Sequence, residues 1–208
     1  MLRTLRRVVD RHRHAHGRYG WLFHPYTGEE LVALAVQDTG GEARLAEPLV
    51  IAAVRLRGDR VLTSESLELR LAPSAGLDAD TIRHHGLRGI DLADGVAMDQ
   101  ALIGLLDFVG NRPLVSWRLD RELAVLNRPL RRQLGFELPN AGIDLAQLYQ
   151  RRQRHHHPQL EPVAPFARAA ERLGVPVMGR HSALGTAVTT ALMHLRLARD
   201  AASTRHSG

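Results

Sequence analysis

Few side chains in this 208-residue sequence could carry out metal or hydrolytic chemistry. There is no cysteine, so disulfides, zinc–thiolate sites and thiol nucleophiles are excluded. Carboxylates and histidines remain. Asp38 follows Gln37 at the end of an apolar run, Asp120 and Glu122 follow another, and His181 precedes Ser182 at the head of a helical stretch. Carboxylates can hold a hard divalent cation, and a histidine can take the proton of an attacking water. Other candidates are weaker. His155-His156-His157 looks like a metal tract, but consecutive residues cannot all face one ion, and Arg151, Arg152 and Arg154 surround the run. It reads as a solvated basic loop. His84 and His85 read as a structural loop after Ile82. Gly40-Gly41 is a turn rather than a phosphate cradle, since no lysine or helix-opening glycine pattern follows. Taken alone, His181 reads as a structural or capping residue more often than as a base.

Four segments, taken in order, change that balance: Leu34-Ala35-Val36-Gln37-Asp38-Thr39-Gly40, His85-Gly86-Leu87, Leu114-Val115-Ser116-Trp117 leading into Glu122, and His181-Ser182-Ala183-Leu184-Gly185-Thr186-Ala187. Together they resemble the DEDDh family of 3′–5′ exonucleases, which includes RNase T and the epsilon-type proofreading subunit of DNA polymerase III. The family reads Asp-x-Glu-Thr-Thr-Gly at the first segment, His-Gly-Ile/Leu at the second, a strand–helix junction bearing Asp at the third, and His-x-Ala-Leu-x-Asp-Ala at the fourth. The resemblance covers residues 30 to 195. It implies an RNase H-like α/β fold: a mixed five-stranded sheet, strands one to three antiparallel, with helices on both faces. In that family two divalent cations bridge the scissile phosphate, held by four acids, while the histidine serves as general base.

The resemblance also shows what this chain lacks. The first acid falls on Ala35, which offers no ligand, and the second on Gln37, a neutral and weaker one. The third falls on Glu122, one methylene longer than Asp, and the fourth on Thr186, which carries no charge. Only His181 is unaltered. With three negative charges gone, two cations have little to offset their dehydration, and the usual mechanism should fail. One rearranged site is conceivable, in which Asp38 and Glu122 hold a single Mg²⁺ or Mn²⁺ with His181 as base. Strand alternation opposes it, because Asp38 should point away from Gln37 unless the Thr39-Gly40 turn rotates it. Thr39, His85 and Trp117 fall at positions implied to touch nucleic acid. Trp117 could stack on a base or pack within the core, and both readings stay open.

The elements that must position these residues follow from periodicity. Apolar runs at 31–36, 49–56 and 61–71 read as strands, the first two buried on both faces and the third half exposed. Arg57-Gly58-Asp59-Arg60 is a hairpin turn between the last two. Residues 98–109 carry a helical apolar stripe, 114–116 a short strand, and 119–134 a helix that Pro129 should kink or divide. Residues 143–149 fit a strand end or a helix equally well. Helices follow at 165–173 and 182–198, the second with Ser182 as N-cap. Residues 1–24 form a basic, partly helical lead-in with Leu2, Leu5, Val8 and Val9 at helical spacing, 25–198 the main domain, and 199–208 a loose tail.

Composition narrows function less. The 44% apolar content supports a packed core, and no apolar stretch is long enough to span a bilayer. The amino-terminal stretch lacks the apolar core of a secretory signal, and the missing cysteines are compatible with a cytoplasmic location. The net charge of +6 comes wholly from arginine, since lysine is absent. The arginines are spread along the chain, as GC-rich coding yields, and runs such as Arg131-Arg132 read as solvated faces. The expectation is a degenerate exonuclease-like protein, inactive or nearly so and without a cofactor. Its cleft would be kept for a single-stranded 3′ end or a protein partner, with no membrane contact. The alternative is an active exonuclease that uses Mg²⁺ or Mn²⁺ and releases nucleoside monophosphates.

Overall fold

A computed structural model of the chain describes residues 2–73, 82, 86–156, 164–179 and 181–206. Its centre is a five-stranded mixed sheet built from β1 (Glu30–Asp38), β2 (Pro48–Arg57), β3 (Arg60–Arg70), β4 (Leu114–Ser116) and β5 (Gly142–Asp144), in the order β3-β2-β1-β4-β5. The first three strands are antiparallel, while β4 and β5 run parallel to β1. The helices are α1 (Leu2–His14), α2 (Met98–Val109), α3 (Leu119–Leu134), α4 (Leu145–His156), α5 (Phe166–Arg172) and α6 (Ala183–His206). Short 3₁₀ turns lie at Gly20–Phe23 and Gly89–Leu92.

Alternation along the strands sorts the core into two layers. Val32 and Leu34 of β1 pack with Leu102, Leu105, Leu106, Leu123, Leu126 and Leu130 of α2 and α3. Ala33 and Ala35 face the other way, onto Val115, Tyr149, Ala187 and Ala191 of the layer containing α4, α5 and α6. Each fully buried leucine contributes about 1.5–3 kcal/mol to this two-sided packing. Every β2 residue from Pro48 to Val54 is buried, as a strand covered on both faces requires. In β3, Leu67 and Leu69 turn toward the α2 layer while Glu68 and Arg70 face outward. The Gly58-Asp59 hairpin closes β2 on β3, with Gly58 at φ +58° where a side chain would be strained.

The expected elements are present, with three differences. Pro129 does not divide α3, because Leu126 and Leu130 are fully buried on either side of it and hold both halves against the sheet. Residues 143–149 split into the end of β5 and the start of α4, with Asp144 accepting a hydrogen bond from the Gln147 main chain (3.0 Å). The last helix runs on through residues 199–206, beyond the apolar pattern. Helix α1 forms, but Val8 and Val9 stay half exposed (53% and 50%). Its inner side is instead polar: Arg7 donates to the Asn140 carbonyl (2.7 Å), Asp10 pairs with Arg131 (3.3 Å), and His14 packs on Phe23 and Phe136. Among the described residues no helix is long and apolar enough to cross a membrane.

Candidate functional site

Strands β1 and β4 are parallel and end at the same side of the sheet, where α3 starts and the α6 amino terminus arrives. This edge collects Ala35, Gln37, Asp38, Ser116, Glu122, His181 and Thr186, the positions singled out in the sequence.

Ala35 is only 3% exposed and belongs to the apolar layer under α6. The position has been closed over rather than left as an empty ligand site. Two residues on, Gln37 Nε2 donates to the His181 carbonyl at 2.8 Å. A carboxylate could not make this bond, because it has no proton to donate to a carbonyl oxygen. Gln37 thus straps the end of β1 to the segment leading into α6. His181 itself is exposed and holds φ +61°, an uncommon conformation for a residue other than glycine. Gly86 lies against it, close enough that a Cβ there would contact the His181 side chain. The second and fourth segments of the sequence pattern therefore meet in space. His85 and its neighbour His84 lie outside the described residues, as does His157.

Ser182 caps α6 as expected, its Oγ accepting the Gly185 main-chain N–H at 3.0 Å. A Cβ on Gly185 would run into the Met178 carbonyl, so glycine lets the incoming chain press against the first helical turn. Thr186 donates its hydroxyl to the Ser182 carbonyl at 2.9 Å, within its own helix.

Asp38 points away from Gln37. Its Oδ1 accepts from Arg121 Nη2 (2.8 Å) and from the Gly40 main chain (2.7 Å), while Arg121 Nη1 reaches the Gly41 carbonyl (3.0 Å). A register shift between Gln37 and Asp38 accompanies this turn, but it leaves the two side chains tied to opposite layers. Thr39 closes the same loop. Its main chain donates to the Glu47 carbonyl, and its Oγ1 accepts from the Glu47 N–H, both at 3.0 Å.

Glu122 sits in the first turn of α3 with its carboxyl end turned inward, although the residue as a whole is only partly covered. Burial pushes its pKa up from 4.5 to about 8, outweighing the Ser116 hydroxyl and the Val36 main chain, which favour the ionised form. Asp38 and Asp144 add like-charge repulsion. Neither Glu122 Oε2 nor Ser116 Oγ reaches hydrogen-bonding geometry with any partner, so the polar neighbours compensate only in part. Trp117 is 8% exposed, with its ring against Tyr149 and edge-on to Phe166 (centroids 6.0 and 5.6 Å). Of the two readings left open for Trp117, these contacts support packing within the core.

The donor set does not fit a pair of divalent cations. Ala35 has no donor, Thr186 is spent on its helix, Asp38 is held by a guanidinium, and the Glu122 carboxyl is buried. Among the described residues, no three His, Asp or Glu side chains gather closely enough to hold a metal. A cleft of about 480 Å³ opens elsewhere, between α3, β5 and α4, and is lined by Asp120, Asp144, Gln147 and Arg151 rather than by Gln37 or His181. Sequence reading missed the Arg121 latch and the Ser116 contact. Both depend on which strand ends meet, for which local spacing carries no signal.

Solved structures share this architecture. The chain superposes on cell-death related nuclease 4 with a TM-score of 0.70 at 13% identity, covering 83% of this chain and 64% of that one. It matches E. coli exonuclease I in complex with a dT13 oligonucleotide (0.68, 13%, covering 84% and 43%) and a full-length 3′-exonuclease (0.67, 14%, covering 85% and 62%). At these identities the likeness defines the fold alone, and the chain spans less than two thirds of each of these proteins. No protein-family model matches the sequence. A stretch of 106 residues, 49% of the chain, is 38% identical to a part of a UDP-N-acetylglucosamine–N-acetylmuramyl-(pentapeptide) pyrophosphoryl-undecaprenol N-acetylglucosamine transferase from Halorhodospira halophila (strain DSM 244 / SL1). It covers only 24% of that transferase. The protein thus has the RNase H-like α/β fold of the 3′–5′ exonucleases.

Proposed function

We propose that this chain is a degenerate relative of the 3′–5′ exonucleases. It does not hydrolyse phosphodiesters, and it receives the 3′ end of a single strand at the surface beside Gln37, Gly86 and His181. The observation that carries this reading is Glu122, the single acid left at a position where the family has one. Its carboxyl is buried, Ala35 is closed into the apolar layer and Thr186 is spent on the Ser182 carbonyl, so few oxygens remain to hold a cation. Support for strand binding comes from the fold neighbours, among them E. coli exonuclease I solved with dT13 and dA16 oligonucleotides. His181 keeps its exposed place on this surface and offers a donor to a terminal phosphate or hydroxyl.

A second reading keeps catalysis through one Mg²⁺ or Mn²⁺ on Asp38 and Glu122, with His181 as base. It is favoured by the repulsion these two carboxyls exert on one another, which a shared cation would relieve. It is opposed by the Arg121–Asp38 ion pair, which such a cation would have to break.

The deciding experiment is release of nucleoside monophosphates from a 3′-labelled single strand with Mn²⁺, comparing the wild type with Glu122→Ala. Equal background from both is expected. Release that depends on metal and is lost in Glu122→Ala and His181→Ala would overturn the inactive reading and establish the second.

A further inference from the structure

The net charge is far more localised than the spread of arginines suggests. Residues 1–28 hold six arginines and one aspartate, a net of +5 out of the whole chain's +6. The remaining 180 residues balance 22 arginines against 21 acids. Between Arg11 and Gly28 there is no acidic residue at all.

Three of the six arginines, Arg11, Arg13 and Arg18, lie on the outside. The one acid, Asp10, is 4% exposed and turned inward onto Arg131, so it does not screen the outer face of α1. Arg11, His12, Arg13, His16 and Arg18 are all exposed. Arg11 and Arg13 make no ion pair or hydrogen bond among the described residues, and Arg18 lies over the Tyr19 ring. Elsewhere arginines are commonly matched within the fold, as Arg55 is with Glu65, Arg57 and Arg112 with Glu30, and Arg121 with Asp38.

We propose that α1 and the turn after it form a second nucleic-acid contact, which grips the phosphodiester backbone without regard to sequence or strand ends. Arginine forks match phosphate oxygens in pairs, and a cluster of unpaired arginines releases counterions when it meets a polyanion. A lipid surface is the competing occupant, since Val8, Val9 and Trp21 are also exposed on this segment, and vesicle binding tests it. The contact is separate from the surface beside Gln37 and His181, although Arg7 of α1 also lines the cleft between α3, β5 and α4. Helix α1 packs on Phe136 and Asn140, just before β5 begins, whereas that surface lies where β1 and β4 end. With β1, β4 and β5 parallel, these are opposite ends of the sheet.

A circular single strand separates the two surfaces, because it has phosphates but no 3′ end. The full chain is titrated with a labelled circular strand and with a linear strand of the same sequence, over a range of salt. The wild type is expected to bind the circle. An Arg11→Gln/Arg13→Gln variant is expected to bind it roughly tenfold more weakly at low salt, with the slope of log K against log salt reduced by about 1.4. Both side chains are exposed and unpaired, so the melting temperature should not move, and Arg11→Lys/Arg13→Lys should keep most of the slope. Wild-type affinity and slope in the glutamine variant would overturn the proposal. So would binding of the wild type to phosphatidylglycerol vesicles but not to the circle. Preference for the linear strand reports on the surface beside Gln37 and His181 instead, so loss of that preference alone counts against that reading and leaves this one standing.

Discussion

Replacing Glu122 with glutamine removes a titration while keeping the shape of the side chain, and its effect on stability should depend on pH in one direction. The folded-state pKa, about 8, is raised above the ordinary value of 4.5. The contribution of this carboxyl is therefore fully present below pH 4.5 and is lost as pH rises toward 8, because the unfolded chain ionises first. At pH 7 the gap spans about 2.5 pH units, which at about 1.36 kcal/mol per unit gives a penalty of order 3 kcal/mol. The substituted amide does not titrate, so Glu122→Gln should be close to neutral at pH 4.5. It should be stabilising by about 3 kcal/mol at pH 7, and by somewhat more at pH 8.5. Urea denaturation of both proteins at pH 4.5, 6, 7 and 8.5 reads this difference directly. A stability difference that stays flat across the series would mean that the carboxyl is solvated or already ionised, and would refute the argument that it is unavailable to a cation.

Other predictions follow from single contacts. Gln37→Glu exchanges a donor for an acceptor against the His181 carbonyl, at a cost of about 1–3 kcal/mol, and should speed amide hydrogen exchange at the start of α6. Unchanged exchange there would show that the strap does not hold the two segments together. Burial and the nearby Arg152 lower the His194 pKa, so its contribution is present above its ordinary value of 6.5 and is lost as pH falls below it. His194→Gln should flatten the loss of stability between pH 6.5 and 5, measured by thermal melts. Trp117→Ala should cost about 3–5 kcal/mol of stability through the cavity it leaves, and equilibrium unfolding checks this. Anisotropy titration of the folded variant should show unchanged strand affinity, since the ring is internal.

The sequence by itself marked the elements in their order, while the layered fold came from the resemblance of its four segments. Continuous apolar runs read as strands covered on both sides, the 98–109 stripe as a helix with one buried face, and Ser182 stood where a helix needs a cap. It also shows that Ala35, Gln37, Glu122 and Thr186 stand where the resemblance places acids, since identity needs no structure to read. What those replacements do was decided by tertiary contact. That Gln37 acts as a strap depends on His181 arriving from 144 residues away, and that Asp38 is latched depends on Arg121 from 83 residues away. The raised pKa of Glu122 depends on how completely other elements exclude water from one carboxyl end. The exposure of Val8 and Val9 accompanies the docking of α1 through Asp10 and His14. Periodicity records which residues share a face, but solvent exclusion and charge pairing arise only where distant segments meet, and no local pattern encodes that.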